Sequence, residues 1–311
     1  MWPVFFIMLG TTKETGMSEQ QGTGTAESEP VVRPMREEDL EAGVRLAAAA
    51  GWNQRLDDWR LVRSLSPETN FVAILDGRLA GTTVTINYDN KVSWVAMVLV
   101  DPTLRRRGVA TRLMKAALDA LAACETVKLD ATPAGREVYL RLGFVDESTV
   151  VRFQAASAPA PVPPPAGVRL RRMTEADTPA VLALDARAFG TPRDPLMPGL
   201  SRLAPGYAWV AEGPAGLQGF CMGRHGMKWE HLGPVTAVNG ETARALASAA
   251  FGAMAGKPAL VDAPSWQPGF QAWLKESGFV EQRPFIRMRK GPDRHAGEAG
   301  CVFGIAGPEF G

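Results

Sequence analysis

Apolar positions along this chain follow two alternating periods. Val31–Met35, Phe71–Leu75, Leu79–Asn87 and Val92–Val100 alternate or run apolar between turn-forming residues, which predicts strands. Glu37–Ala50 and Asp57–Leu65 space their apolar residues for helices. From about Arg107 to Ala123 a longer helix is expected, with Val109, Leu113, Ala117 and Leu121 on one stripe and Ala110, Met114 and Leu118 beside it. A strand at Thr126–Leu129, a helix over Pro133–Arg141 and a strand from Phe144 follow. Hairpin-forming strands succeeded by strand–helix crossovers predict an α/β architecture, a mixed and mostly antiparallel sheet flanked by helices.

The pattern then repeats. Val32-Arg33-Pro34-Met35-Arg36-Glu37 returns as Leu170-Arg171-Arg172-Met173-Thr174-Glu175, with Met35 and Met173 in corresponding places. Leu129-Asp130-Ala131 ahead of Leu142-Gly143-Phe144-Val145 returns as Val261-Asp262-Ala263 ahead of Ser277-Gly278-Phe279-Val280. Such self-similarity marks an internal duplication. Between the copies, Ala155–Gly167 is too rich in proline for a helix or central strand and suits an extended spacer. The expected organisation is a disordered segment 1–30, a first lobe 31–153, a linker 154–167 and a second lobe 168–311. The apolar tail Cys301–Ala306 predicts a last strand that either lobe could receive.

Composition narrows the partners. A net charge of +1 over 311 residues, with 46% apolar content, describes a soluble globular chain with room for two domains. It provides no chain-wide basic field for nucleic acid or for a membrane surface, so an anion site has to be local. Cys124, Cys221 and Cys301 lie far apart without metal-ligand spacing, which predicts no metal site and suits a reducing cytoplasm. The apolar start Met1–Leu9 lacks the basic leader and cleavage site of a signal peptide and is too short to span a bilayer.

The most informative segment is Val98-Leu99-Val100-Asp101-Pro102-Thr103-Leu104-Arg105-Arg106-Arg107-Gly108-Val109-Ala110. A strand, a basic turn with a glycine and a long helix leave unpaired N–H groups aimed at an anion. Gly108 lets backbone approach a ligand, and Arg105, Arg106 and Arg107 add cations. A solvated basic turn is the alternative reading of the charges alone.

Arg105, Gly108 and Ala110, directly after that strand, together with Tyr139-Leu140-Arg141-Leu142-Gly143-Phe144, resemble the GCN5-related N-acetyltransferase family over Val31–Phe153. The resemblance implies that Val98, Leu99 and Val100 border the pantetheine arm of acetyl-CoA and that Arg105, Arg106, Arg107, Gly108, Val109 and Ala110 hold its pyrophosphate. It implies that Tyr139 is the general acid for the departing thiolate. The acceptor would be a primary amine of a small molecule or peptide, and a homodimer is left open. The glutamate that some members carry on the strand Val92–Val100 is missing, which leaves the general base unassigned. Asp130 is a tempting candidate, but Asp262 repeats it in the other lobe, which favours a structural role. Trp52, Asn53, Asp57, Asp58 and Trp59 lie on the helical region that borders the acceptor in this fold.

The second lobe resembles a degenerate copy of the same domain. Asn239 and Glu241 stand where the first lobe has its basic turn; Glu241 in the first helical turn would repel pyrophosphate. No tyrosine precedes Gly278-Phe279, and Trp273 is one residue out of register. One active site per chain is expected, with the second lobe walling the acceptor pocket and Arg224, His225 and His231 near a shared cleft. A non-catalytic acyl-CoA-binding sensor is the competing reading.

Overall fold

Leucine, valine and alanine at helical spacing, interrupted by glycine and proline where the chain must turn, give each half the same succession of elements. The first half comprises β1 (Val31–Pro34), α1 (Leu40–Ala49), α2 (Leu56–Leu65), β2 (Phe71–Leu75), β3 (Arg78–Tyr88), β4 (Val92–Val100), α3 (Val109–Ala120), β5 (Thr126–Ala131), α4 (Arg136–Arg141) and β6 (Val145–Ala155). The second comprises β7 (Arg169–Arg172), α5 (Thr178–Phe189), α6 (Leu196–Leu203), β8 (Trp209–Gly213), β9 (Gly216–Arg224), β10 (Glu230–Ala237), α7 (Gly240–Ala253), β11 (Ala259–Pro264), α8 (Pro268–Glu276), β12 (Val280–Lys290) and β13 (Val302–Gly304). The computed structural model describes residues 28–159 and 162–311. The expected disorder of segment 1–30 therefore falls, up to residue 27, outside the described residues.

Two expected helices begin late. The helix expected from Arg107 starts at Val109, because Arg106 and Gly108 have φ of 64° and 75° and cannot continue a right-handed helix. The helix expected from Pro133 starts at Arg136, after a turn in which Gly135 N–H donates to the Thr132 carbonyl at 2.9 Å.

All strands form one mixed sheet, and its order shows how the halves are joined. It runs β1, β2, β3, β4, β5, β12, β6, β11, β10, β9, β8, β7, with β13 added on β10. Neither half closes its own sheet. The strand β12 from the second half lies on β5 of the first, β6 from the first half lies on β11 of the second, and the two exchanged strands pair antiparallel at the centre. The repeat pattern could not show this, because two strands of like length and alternation suit either neighbour equally.

Two buried ion pairs fix the exchange. On β12, Arg287 donates through Nε and Nη2 to both oxygens of Asp130 on β5, each at 2.9 Å. On β6, Arg152 donates in the same way to Asp262 on β11, each at 2.7 Å. Each repeat's aspartate thus holds the other repeat's arginine. Removing one partner of such a pair leaves an unpaired charge in the interior, typically at a cost of about 3–5 kcal/mol.

The core ignores the repeat boundary as well. Leu40, Trp59, Val62, Ile86 and Trp94 pack in one cluster with Val181, Leu196, Leu200, Phe220 and Phe310. Gly199 on α6 faces Leu61 on α2 so closely that a Cβ there would overlap the leucine side chain. Among the described residues, no helix is long and apolar enough to cross a membrane.

Candidate active site

The site begins with an irregularity in β4. Its parallel pairing with β5 covers only Val92–Trp94 against Thr126–Lys128. Just beyond, the register of β3 against β4 shifts between Thr82 and Val84, and Met97 takes a left-handed φ of 47° with its carbonyl held by Thr82 Oγ1 at 2.8 Å. A bulge of this kind bends a strand and re-aims its side chains. From Val95 onward β4 diverges from β5 and leaves a cleft of about 460 Å3.

Several of the sequence-derived site residues meet on this cleft. Val98, Leu99 and Val100 line it from β4, Arg105 from the following turn and Tyr139 from α4. Arg106, Arg107, Gly108, Val109 and Ala110 continue that turn into α3 and are not part of the cleft wall. Within the turn, Arg107 pairs with Asp76 at 2.8 Å, Arg106 is exposed, and the Val109 side chain is buried against Leu104 and Leu113. Gly108 caps α3 in the left-handed region, and among the described residues no side chain caps the first N–H groups of the helix. A Cβ built on Gly108 would meet no atom within 4 Å. An open helix start beside a strand with a free edge suits the phosphates and amide-bearing arm of a coenzyme A thioester.

Tyr139 is half-buried, with its ring edge-on to Phe144 at a centroid distance of 6.0 Å. Among the described residues its hydroxyl has no hydrogen-bond partner. Burial pushes its pKa up to about 12, so the phenol holds its proton at neutral pH.

The aspartates divide as the duplication suggests. Asp130 borders the cleft, but both its oxygens are taken by Arg287; burial raises its pKa despite that arginine. Asp58 is buried, accepts from Arg55 N–H at 2.7 Å and lies 3.0 Å from Arg224 Nε. Burial lifts Asp58 to about 6, with Arg224 opposing and Glu309 adding to the rise. Trp52 lines the cleft, whereas Asn53 fastens the loop at Trp229, Asp57 is exposed and Trp59 is core. Arg224, His225 and His231 do not reach the cleft. His225 binds Glu230 at 2.7 Å and His231 lies 3.2 Å from Asp262.

Sequence reasoning missed the residues that arrive from elsewhere in the chain. Arg152 on β6, Gln282, Arg283 and Phe285 on β12, and Pro308 and Glu309 in the tail all border the cleft. No local signal marks them, since the strand exchange and the path of the tail bring them there. Trp94 Nε1 donates to the Pro308 carbonyl at 2.9 Å, and the Tyr88 hydroxyl to that of Phe310 at 2.8 Å. Glu309 is buried against Arg224.

The same tail closes the equivalent opening in the second half. There β10 pairs with β11 only over Glu230–Leu232, and β13 occupies the space beyond, bonding to β10, with Ile305 N–H donating to the Asp262 carbonyl at 3.0 Å. A Cβ on Gly233 would overlap the Ile305 carbonyl oxygen. The cap of α7 is also satisfied, because Asn239 accepts from Thr242 N–H at 2.9 Å, and Glu241 sits in its first turn.

Comparison with known proteins agrees with this architecture. Residues 35–144 match the model of the Acetyltransferase (GNAT) family, and residues 181–304 match a second model, an Acetyltransferase (GNAT) domain. A holothin acyltransferase of Pseudoalteromonas sp. (strain SANK 73390) is 25% identical over 282 residues, covering 90% of this chain and 94% of the relative. A structure from Pyrococcus horikoshii, assigned as an acetyltransferase, superposes with a TM-score of 0.77 at 20% identity, covering 94% of this chain and 99% of the other. A tandem GNAT protein from the clavulanic acid biosynthesis pathway gives a TM-score of 0.61 at 16% identity, over 85% and 100% of the two chains. These two structures share the fold. Together with the two matched models and the duplicated, strand-exchanged sheet, they show that the chain is a tandem acyltransferase of the GCN5-related N-acetyltransferase family.

Proposed function

We propose that the protein transfers an acetyl group from acetyl-CoA to a primary amine of a small molecule or peptide, by direct attack in the β4–β5 cleft. The observation that carries this reading is one cleft bordered at once by the free edge of β4, by Arg105 next to the open start of α3, and by the unpartnered hydroxyl of Tyr139. Acetyl-CoA supplies the activated acyl group. The turn Arg105–Ala110 would hold its phosphates, and the backbone of Val98–Val100 would align its amide-bearing arm.

The neutral amine attacks the thioester carbonyl, the nitrogen gives up its surplus proton to solvent, and the tetrahedral adduct collapses with breakage of the C–S bond. Tyr139 donates its proton to the departing thiolate, a contribution typically worth ~10²–10⁴-fold in rate. We assign catalysis to the repeat 31–153 and a supporting role to 168–311, and the filled opening behind β10 supports that division. The setting we infer is cytoplasmic.

The test is release of free CoA from acetyl-CoA across a panel of amines. Because the relative is an acyltransferase named for holothin, the panel also includes longer acyl-CoA donors. Tyr139→Phe is expected to lower kcat by ~10²-fold or more while leaving the dissociation constant of acetyl-CoA unchanged. An unchanged kcat removes Tyr139 from the chemistry. Binding of acetyl-CoA without release of thiol to any amine would favour the sensor reading.

A further inference from the structure

Four buried polar atoms with no hydrogen-bond partner among the described residues belong to side chains on the wall of the same cleft: Gln54 Oε1, Gln282 Oε1, Arg283 Nε and Glu309 Oε2. Buried polar groups are ordinarily paired, and each unpaired one costs about 1–3 kcal/mol. Such a concentration around one cavity calls for a polar ligand. Three of the four reach the cleft only through the second repeat and the tail, the parts that the cofactor site does not need.

The charges in this region balance in number, four arginines against four carboxylates, but not pair by pair. Arg287 neutralises Asp130, and Arg152 is neutralised by Asp262. Arg224 serves both Asp58 and one oxygen of Glu309. Arg283 is left over. Among the described residues it has no ion pair, only the ring of Phe285 at 4.9 Å, and its strand partner across the sheet is the like-charged Arg152. Burial and Arg152, with Asp262 opposing, push its pKa down to about 10, so the guanidinium keeps its charge at neutral pH although no carboxylate bonds it directly. The anionic groups of the thioester substrate are assigned, in the reading above, to Arg105 and the start of α3.

We propose that the acceptor is a small amine that also carries a carboxylate, with Arg283 taking the carboxylate and Glu309 taking the amine end. This rests on the N-acyltransferase reading and deepens it to a substrate class. Arg283 presents a planar fork of donors suited to a carboxylate. Glu309 gives the pocket its one carboxylate with an unpartnered oxygen, able to hold an ammonium and accept its proton before attack. Leu46, Trp52 and Phe285 supply apolar wall to the same cleft.

The experiment uses the full chain and matched probes: L-leucine against L-leucinamide, and 4-(aminomethyl)benzoate against 4-(aminomethyl)benzamide, with acetyl-CoA as donor. The carboxylates are expected to have kcat/KM at least about tenfold above their amides, as one charged hydrogen bond allows. Arg283→Gln should remove that preference by raising KM for the carboxylates alone, with acetyl-CoA affinity unchanged. Glu309→Gln should depress turnover of carboxylates and amides together, since both present the same amine. Should Glu309→Gln fail to fold, Arg283→Gln alone decides the question. Equal use of amides and carboxylates by the natural protein overturns the proposal and leaves the transferase reading intact. So does a loss of acetyl-CoA binding in Arg283→Gln, which would assign that arginine to the cofactor. Bound acetyl-CoA with no thiol release to any probe or to any other amine overturns the transferase reading and this proposal with it.

Discussion

His231 shows what a single residue contributes when it is locked into an exchanged sheet. Burial and the nearby Arg224 push its pKa down to about 4, even though Asp262 lies 3.2 Å away. In the unfolded chain the imidazole titrates near its ordinary value, about 6.5. Between these values the unfolded state binds more protons, so this group's contribution to stability is present above pH 6.5 and is lost as pH falls toward 4. Asp58 acts in the opposite sense. Its raised pKa, about 6, means the folded state binds more protons between about 4 and 6, and stability from that group is lost as pH rises through that range. The two nearly offset in the natural protein, so substitution is needed to separate them. Denaturation of His231→Gln beside the natural chain should show the variant gaining relative stability by up to ~3 kcal/mol as pH drops from 6.5 to 4. A pH-independent difference would mean that His231 is not held neutral. The sequence placed His231 near a shared cleft, which it does not reach. Its buried place beside Asp262 depends on the packing of β10 between β9 and β11, which no local pattern shows.

The elements that build the site differ in how far they could be read from the chain. The strand Val92–Val100 and the helix behind Gly108 follow from apolar period and a glycine; the strand is found at those bounds and the helix with a shorter span. The bulge at Met97 was not legible, because a left-handed residue in an apolar strand leaves no mark in hydropathy; the bond from Thr82 holds it there. The start of α3 supports a prediction of its own. Gly108→Ala places a β-carbon in the left-handed region, at about 1–2 kcal/mol of strain, yet leaves open space around it. Gly108→Glu adds bulk and negative charge at the helix start. Thermal melts should show both variants losing stability to a similar extent. Calorimetric titration with acetyl-CoA should show measurable, weaker binding for alanine and none for glutamate. Normal affinity in the glutamate variant would place the thioester elsewhere. In the second repeat the same element position is closed by Asn239 and Glu241, which their residue types announced.

At the scale of the molecule, the exchange of β6 and β12 makes the two repeats mutually dependent. Residues 28–167 alone would leave β5 without its β12 neighbour and β6 without both of its partners, exposing Val150 and Phe153. That fragment is expected to show no cooperative melt by circular dichroism, and mixing it with residues 168–311 should restore one. An independent, cooperative transition of the fragment would contradict the interlocking described above. The tail adds a second dependence, since one short segment fills the opening behind β10 and then lines the cleft beside β4. By itself the sequence determined the duplication, the order and type of most elements, the open helix start at Gly108 and the loss of its counterpart at Asn239. These depend on periodicity, turn chemistry and charge within a few residues of one another. Only the tertiary structure decided which repeat owns each final strand, what fills the second opening, and which arginines and glutamate border the cleft. Those outcomes depend on contacts between residues distant in the chain, where equivalent strands compete for the same edges and burial of the whole sheet selects among them.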